Sequence, residues 1–252
     1  MKSPRCYQGR DMSKDGGTHA WTIGLDADDT LWHNERLFQL SQARFAELLA
    51  DHAAPDHLAE RLHAAERRNL GRYGFGVKGF VLSMIETAIE VTEARVPAAV
   101  IAELIAAGHE LLAHPIELLP HAQDTISALS GRADLVLITK GDLLDQERKL
   151  AQSGLGEHFS AVEIVSDKTP ATYARIFAGT LARQGNAMMV GNSLRSDVIP
   201  ALAAGAWGVH VPHETTWAYE LDNAPQDHPR FRALPSLAEL PDLLSSLAPV
   251  RP

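Results

Sequence analysis

The chain has 252 residues, 45% of them hydrophobic and 22% charged, a mix that excludes wholesale disorder. Its net charge of −9 argues against a nucleic-acid partner, which would call for a basic stripe. The single cysteine, Cys6, excludes an intramolecular disulfide and a cysteine-rich zinc site. No apolar run approaches the roughly 18 residues of a spanning helix, and the first residues lack the apolar core of a signal peptide. The expectation is a cytoplasmic protein with no membrane partner.

In chain order, residues 1–19 are rich in Gly, Ser, Lys and Asp without periodicity and read as a loose leader. Trp21–Leu25 is a short apolar run ending in acidic residues. Similar runs follow at Leu135–Thr139, Ala161–Val165, Ala187–Val190 and Trp207–Val211, each separated by enough chain for a helix. Buried parallel strands with crossover helices have this pattern, so five strands predict a doubly wound, Rossmann-like α/β sheet.

The stretch between the first two runs is far longer than one crossover, and its periodicity is helical. Val81, Met84, Ile85 and Ala88 are spaced as one helix face, as are Ile101, Leu104, Ile105 and Gly108, with Pro97 at a helix start. The predicted organisation is therefore a leader (1–19), an α/β core (20–33 and 119–252) and an inserted all-helical cap (34–118). Prolines 225, 229, 235 and 241 predict irregular loops and a short terminal helix in the tail.

The first strand runs into Asp26-Ala27-Asp28-Asp29-Thr30. Alternation along a strand puts Asp26 and Asp28 on one side. Carboxylates so close repel each other, and such pairs serve to hold a cation or to divide nucleophile and acid roles. The competing reading is that Asp28, Asp29 and Thr30 only cap the next helix. Three further clusters lie at strand ends: Thr139-Lys140-Gly141, then Asp167-Lys168-Thr169, then Gly191-Asn192-Ser193 through to Asp197. In a parallel sheet all four converge on one edge, where ligands bind. Thr139 offers a hydroxyl, and Gly141 a tight turn with backbone N–H groups.

In these residues the chain resembles the haloacid dehalogenase-like superfamily, most of whose members are phosphatases. Asp26, Asp28 and Thr30 match its Asp-x-Asp-x-Thr motif, Thr139 and Gly141 its second motif, and Lys168 its third. Gly191 to Asp197 align with the fourth, and a helical insert between the first two motifs resembles a C1 cap. The resemblance spans residues 21–212. It implies that Asp26 attacks phosphorus and that Asp28 serves as general acid and base. Thr30, Thr139, Lys140 and the N–H groups near Gly141 would hold phosphate or substrate, and Lys168 would offset negative charge. It further implies Mg²⁺, with ligands drawn from Asp26, Asp28, Asn192 and Asp197. Asn192 departs from the family pattern, which has Asp there, so weaker metal binding is expected. Asp197 would either ligate the metal or orient Lys168. Repulsion from Asp26 is expected to raise the pKa of Asp28.

The implied partner is a small soluble phosphate ester. A phosphomutase uses the same residues, and a non-catalytic phosphate- or partner-binding protein would have lost Asp26. A metal-free dehalogenase attacking carbon would lack Asp28. Within the insert, Arg72–Phe80 carries three glycines, three aromatics and two cations. It reads either as a substrate loop, with Lys78 or Arg72 reaching an anion, or as an ordinary turn. His33 reads as a hinge residue, and His210 and His213 as surface residues.

Overall fold

The computed structural model describes residues 19–182, 186–215 and 217–247. The expected leader lies outside the described residues except for His19, whose ring nitrogen is 3.1 Å from Asp134 Oδ1. The chain begins with β1 (Trp21–Leu25) and then enters four helices, α1 (Glu35–Leu48), α2 (Pro55–Tyr73), α3 (Val77–Val91) and α4 (Ala98–Ala113). It continues through α5 (Ala122–Leu129), β2 (Asp134–Lys140), α6 (Leu143–Ser153), β3 (Ala161–Val165), α7 (Pro170–Ile176) and α8 (Ala178–Ala182). The remaining elements are β4 (Asn186–Gly191), α9 (Ile199–Ala203), β5 (Trp207–His210), β6 (Phe231–Ala233) and α10 (Leu240–Ser246).

The strands form one parallel sheet in the order β3-β2-β1-β4-β5-β6. Nearly continuous apolar runs make this possible, because both faces must be buried. Ile23, Leu25, Leu135, Leu137, Met188 and Val190 face one core with Ala122, Ile126 and Leu129 of α5 and Leu240 of α10. Val136, Ile138, Ala187 and Met189 face the other, with Tyr173 of α7, Phe177 and Ala201 of α9. Alternation thus serves two cores at once. The architecture is a doubly wound, Rossmann-like sheet.

The four helices after β1 build a separate core from Phe45, Leu58, Leu62, Phe80, Met84 and Leu104. The chain leaves and re-enters the sheet layer through two short segments that pair with each other. His33 N–H donates to Glu117 O at 3.0 Å, Leu119 N–H to Leu31 O at 2.9 Å, and Trp32 bridges Leu118. No described helix is long and apolar enough to cross a membrane.

Three expectations need correction. The sixth strand, Phe231–Ala233, was not expected; it is only three residues long, has an arginine at its centre and lies at the sheet edge. The fifth strand ends at His210, one residue before Val211. Ile105 is 42% exposed, because the buried face of α4 runs through Leu104, Ala107 and Gly108.

Ile23 is fully buried at the centre of the sheet, pairing in register with Leu135 and Met188. Ile23→Ala should cost about 2–5 kcal/mol, read as a lower denaturant midpoint at unchanged slope. An unchanged midpoint would contradict this placement of the core.

Candidate active site

The C-terminal ends of β1, β2, β3 and β4 meet at a cavity of about 160 Å³, roofed by residues of α1, α2 and α3. Asp26 continues the β1 ladder, its N–H donating to Val190 O at 2.9 Å, and this fixes the carboxylate at the sheet edge. Lys168, after β3, is buried and contacts both Asp26 and Asp197, the latter at 2.7 Å. Asp197 is fully buried, and its second oxygen accepts the Ser193 N–H at 3.0 Å. A Cβ on Gly191 would lie 2.2 Å from that oxygen, so only glycine allows this approach.

Two carboxylates therefore share one ammonium away from water. Burial, and then Asp197, push Asp26 up to about 7 against the opposing pull of Lys168. Burial alone would lower Lys168, but Asp197 and Asp26 outweigh it and hold the lysine above its ordinary value. Asp197 matches the orienting role, with both oxygens engaged by Lys168 and the Ser193 N–H.

Asp28 also lines the cavity, but in different company from that expected. Lys149 Nζ lies 3.0 Å from each of its oxygens, Gln146 Nε2 donates at 2.9 Å and Trp32 Nε1 at 2.7 Å. Asp28 is thus engaged by a lysine and two neutral donors. Asp29 is the residue that fits the capping alternative. Its carboxylate accepts the Asn34 and Glu35 N–H groups at 2.9 and 3.0 Å as α1 begins.

Thr139, Lys140, Asn192 and Asp197 also line the cavity. Lys140 turns toward Ser196 Oγ at 2.8 Å, toward Glu220, and over the Phe75 ring at 4.1 Å. Burial would raise the Glu220 carboxyl, but Lys140 and the Ser193 and Ser196 hydroxyls hold it below its ordinary value. Three expected binders stand outside the cavity wall. Thr30 is buried, with Oγ1 donating to Asn192 Oδ1 at 3.3 Å and accepting Asn192 N–H at 3.1 Å, which ties two strand ends together. Gly141 has φ +141° and forms the turn against Gln146 that a side chain would obstruct. Lys78 is 60% exposed and pairs with Asp142 at 2.8 Å, joining α3 to the start of α6. The Arg72–Phe80 segment does reach the site, through Phe75 rather than through Lys78. Phe75 meets Trp217 edge-on at 6.3 Å.

His210 and His213 are not surface residues. His210 Nε2 is 3.0 Å from Asn192 O, and the His213 ring is 3.8 Å from Asp29. Sequence reasoning missed Lys149, Gln146, Glu220, Glu35 and Asn69. Lys149 and Gln146 had one available signal: both lie on α6 soon after Gly141 and face the sheet although polar. Among the described residues, no three His, Cys, Asp or Glu side chains converge as a metal site. Oxygen donors of other kinds are present, chiefly the Asn192 amide beside Asp26.

Glu35 lines the cavity and is pushed up to about 8 by burial, then by Asp29 and Glu66, with His63 opposing and Glu220 adding. Between 4.5 and about 8 the folded chain keeps a proton that the unfolded chain has released, so stability falls as pH rises through this window. Glu35→Gln removes that loss. The variant should melt about 2–4 °C above the parent at pH 8 for each kcal/mol recovered, with the difference shrinking toward pH 5. A melting difference that does not depend on pH would contradict this.

A protein-family model described as haloacid dehalogenase-like hydrolase matches residues 22–205. A haloacid dehalogenase-like family hydrolase from Xanthomonas campestris is 39% identical, covers 93% of this chain and 94% of its own, and superposes with TM-score 0.80. The HAD-hydrolase YfnB from Bacillus subtilis, bound to magnesium, is 19% identical over 90% of this chain and 99% of its own, TM-score 0.61. The L-2-haloacid dehalogenase from Xanthobacter autotrophicus is 16% identical over 90% and 99%, TM-score 0.62, a likeness of fold alone. No curated protein matches the chain significantly. With the family match spanning most of the sheet and all four strand-end clusters, the chain belongs to the haloacid dehalogenase-like hydrolases.

Proposed function

We propose that the chain is a Mg²⁺-dependent hydrolase of small phosphate esters that works through a phosphorylated Asp26. One observation carries this reading: Asp26 stands buried on Lys168 at the base of a cavity that also presents Asp28 and Thr139. Asp26 attacks phosphorus and the bond to the leaving oxygen breaks, with Asp28 giving that oxygen a proton. Water then attacks the same phosphorus, Asp28 takes its proton, and phosphate leaves Asp26 as a free carboxylate. Lys149 and Gln146 hold the Asp28 carboxyl in place. Thr139, on the cavity wall, would hold phosphoryl oxygens, and Lys168 would offset their charge.

The donor set fits a magnesium ion. Two buried carboxylates against one lysine leave a net negative charge, and Asn192 adds a neutral oxygen beside it. Asp26, the Asp28 backbone carbonyl and Asn192 would hold the ion, with Thr30 fixing the Asn192 amide. Bound there, Mg²⁺ would supply charge neutralisation for the transferring phosphoryl group. The magnesium on the Bacillus subtilis relative supports the same reading. Asp28, which a carbon-attacking dehalogenase of this family would lack, favours phosphoryl transfer. The cavity's position between helices and sheet favours a small soluble ester, and a cytoplasmic setting accords with one.

Phosphate release from an aryl phosphate should require Mg²⁺, stop with EDTA and vanish in Asp26→Asn with circular dichroism unchanged. Asp28→Asn should lose about 10²–10⁴-fold in kcat. Turnover by the Asp26→Asn protein would sink the covalent route, and undiminished turnover in EDTA would sink the metal requirement.

Asn192→Asp adds a charged ligand and should tighten Mg²⁺ binding in a calorimetric titration. Unchanged or weaker affinity would remove Asn192 from the ligand set.

A further inference from the structure

The stretch of cavity wall built from α1, α2 and α3 has no part in the chemistry above. It presents Glu35, Glu66 and Asn69, with Phe38 and Phe80 beside them. Asn69 is 2% exposed, and its amide orientation is forced. Nδ2 donates to Ser83 Oγ at 3.2 Å, whose own hydrogen goes to Gly79 O, and to Glu86 Oε2 at 2.8 Å. A flipped amide would set oxygen against a carboxylate. Both hydrogens are thus spent, and Oδ1 is left buried without a partner.

Gln146 repeats the pattern on the sheet side. Its Nε2 donates to Asp28 Oδ2 and Lys140 O, both acceptors, and its Oε1 is likewise buried without a partner. Native proteins rarely leave such acceptors empty, and these two await donors. Glu35, among the described residues, has no hydrogen bond or ion pair to its carboxyl group. Burial first, and then the nearby Asp29, Glu66 and Glu220 carboxylates against His63, raise it to about 8. The lysines of the cavity are already engaged: Lys140 by Glu220, Lys149 by Asp28, and Lys168 by Asp26 and Asp197. A second anionic group on the substrate would find no unengaged lysine there.

We propose that this wall is the leaving-group subsite and that it takes an ammonium group, so the substrate is a phosphate monoester of an amino alcohol. The inference rests on the phosphohydrolase reading for the ester itself and adds the class of alcohol. The ammonium supplies hydrogens to Asn69 Oδ1 and Glu35, and its charge offsets the Glu35–Glu66 end of the cavity. A neutral hydroxyl supplies hydrogen bonds without the charge. A carboxylate supplies neither.

The test compares ω-aminoalkyl phosphates of two to four carbons with their ω-hydroxy and ω-carboxylate counterparts, together with the matching non-hydrolysable phosphonates in calorimetric titrations. At pH 7 the amino ester should exceed the hydroxy ester by about 10–100-fold in kcat/KM, with the carboxylate ester slowest. Glu35→Gln should close the gap between the amino and hydroxy esters. Equal rates for amino and hydroxy esters, or a preference for the carboxylate, would overturn the subsite while leaving the hydrolase reading intact. No turnover of any ester, with phosphonates still binding in the order amino, hydroxy, carboxylate, would overturn the hydrolase reading and support the subsite. Phosphonates that bind without that order, or not at all, would overturn the subsite.

Discussion

Lys168 held between Asp26 and Asp197, away from water, is the contact on which the rest of the site depends. Removing one partner of a buried ion pair typically costs about 3–5 kcal/mol, because the remaining charge is stranded. Here the lysine serves two carboxylates, so the cluster carries excess negative charge even when intact. Burial first, and then the Asp197 charge, raise Asp26 to about 7. The excess negative charge creates the demand for a cation that the proposed chemistry meets.

The sheet makes this arrangement inexpensive to hold. Parallel strands bring four chain segments to one edge, and each contributes its side chain from a backbone position fixed by the ladder. Ties between loops then complete the geometry. Thr30 joins the end of β1 to Asn192 after β4, and Gln146 and Lys149 on α6 hold Asp28. Glu220 gathers Lys140, Ser193 and Ser196 from two more segments. Across the cavity, Phe75 lies over Lys140 and Lys78 pairs with Asp142, so the helical insert is attached to the sheet at its aromatic turn. The helices therefore shape part of the cavity wall.

The parts legible in the sequence were those encoded in contiguous residues. Five strands showed as apolar runs because parallel strands must be buried on both faces. The strand-end clusters showed because Asp26, Thr139, Lys168 and Asn192 each lie at the end of such a run or within three residues of it, and all four meet at the cavity. The sixth strand was illegible, being three residues long with Arg232 at its centre. Lys149 and Gln146 were hidden because a polar residue on a helix looks solvated until the sheet behind it is placed. Glu220 lies in a proline-containing tail whose path no periodicity reveals. Lys78 misled for the opposite reason: a cation among glycines and aromatics reads as a ligand, but its length took it outward to Asp142. Asp29 bears out the capping reading for one residue of the acidic run, its carboxylate accepting two N–H groups where α1 begins.

The central claim is that Asp26 itself carries the phosphoryl group during turnover. The direct measurement is rapid acid quench of the protein with an aryl phosphate, followed by peptide mass spectrometry. The account predicts phosphoryl mass on the peptide containing Asp26, and its loss in Asp26→Asn. Phosphoryl mass confined to another residue, or none while turnover proceeds, would contradict it.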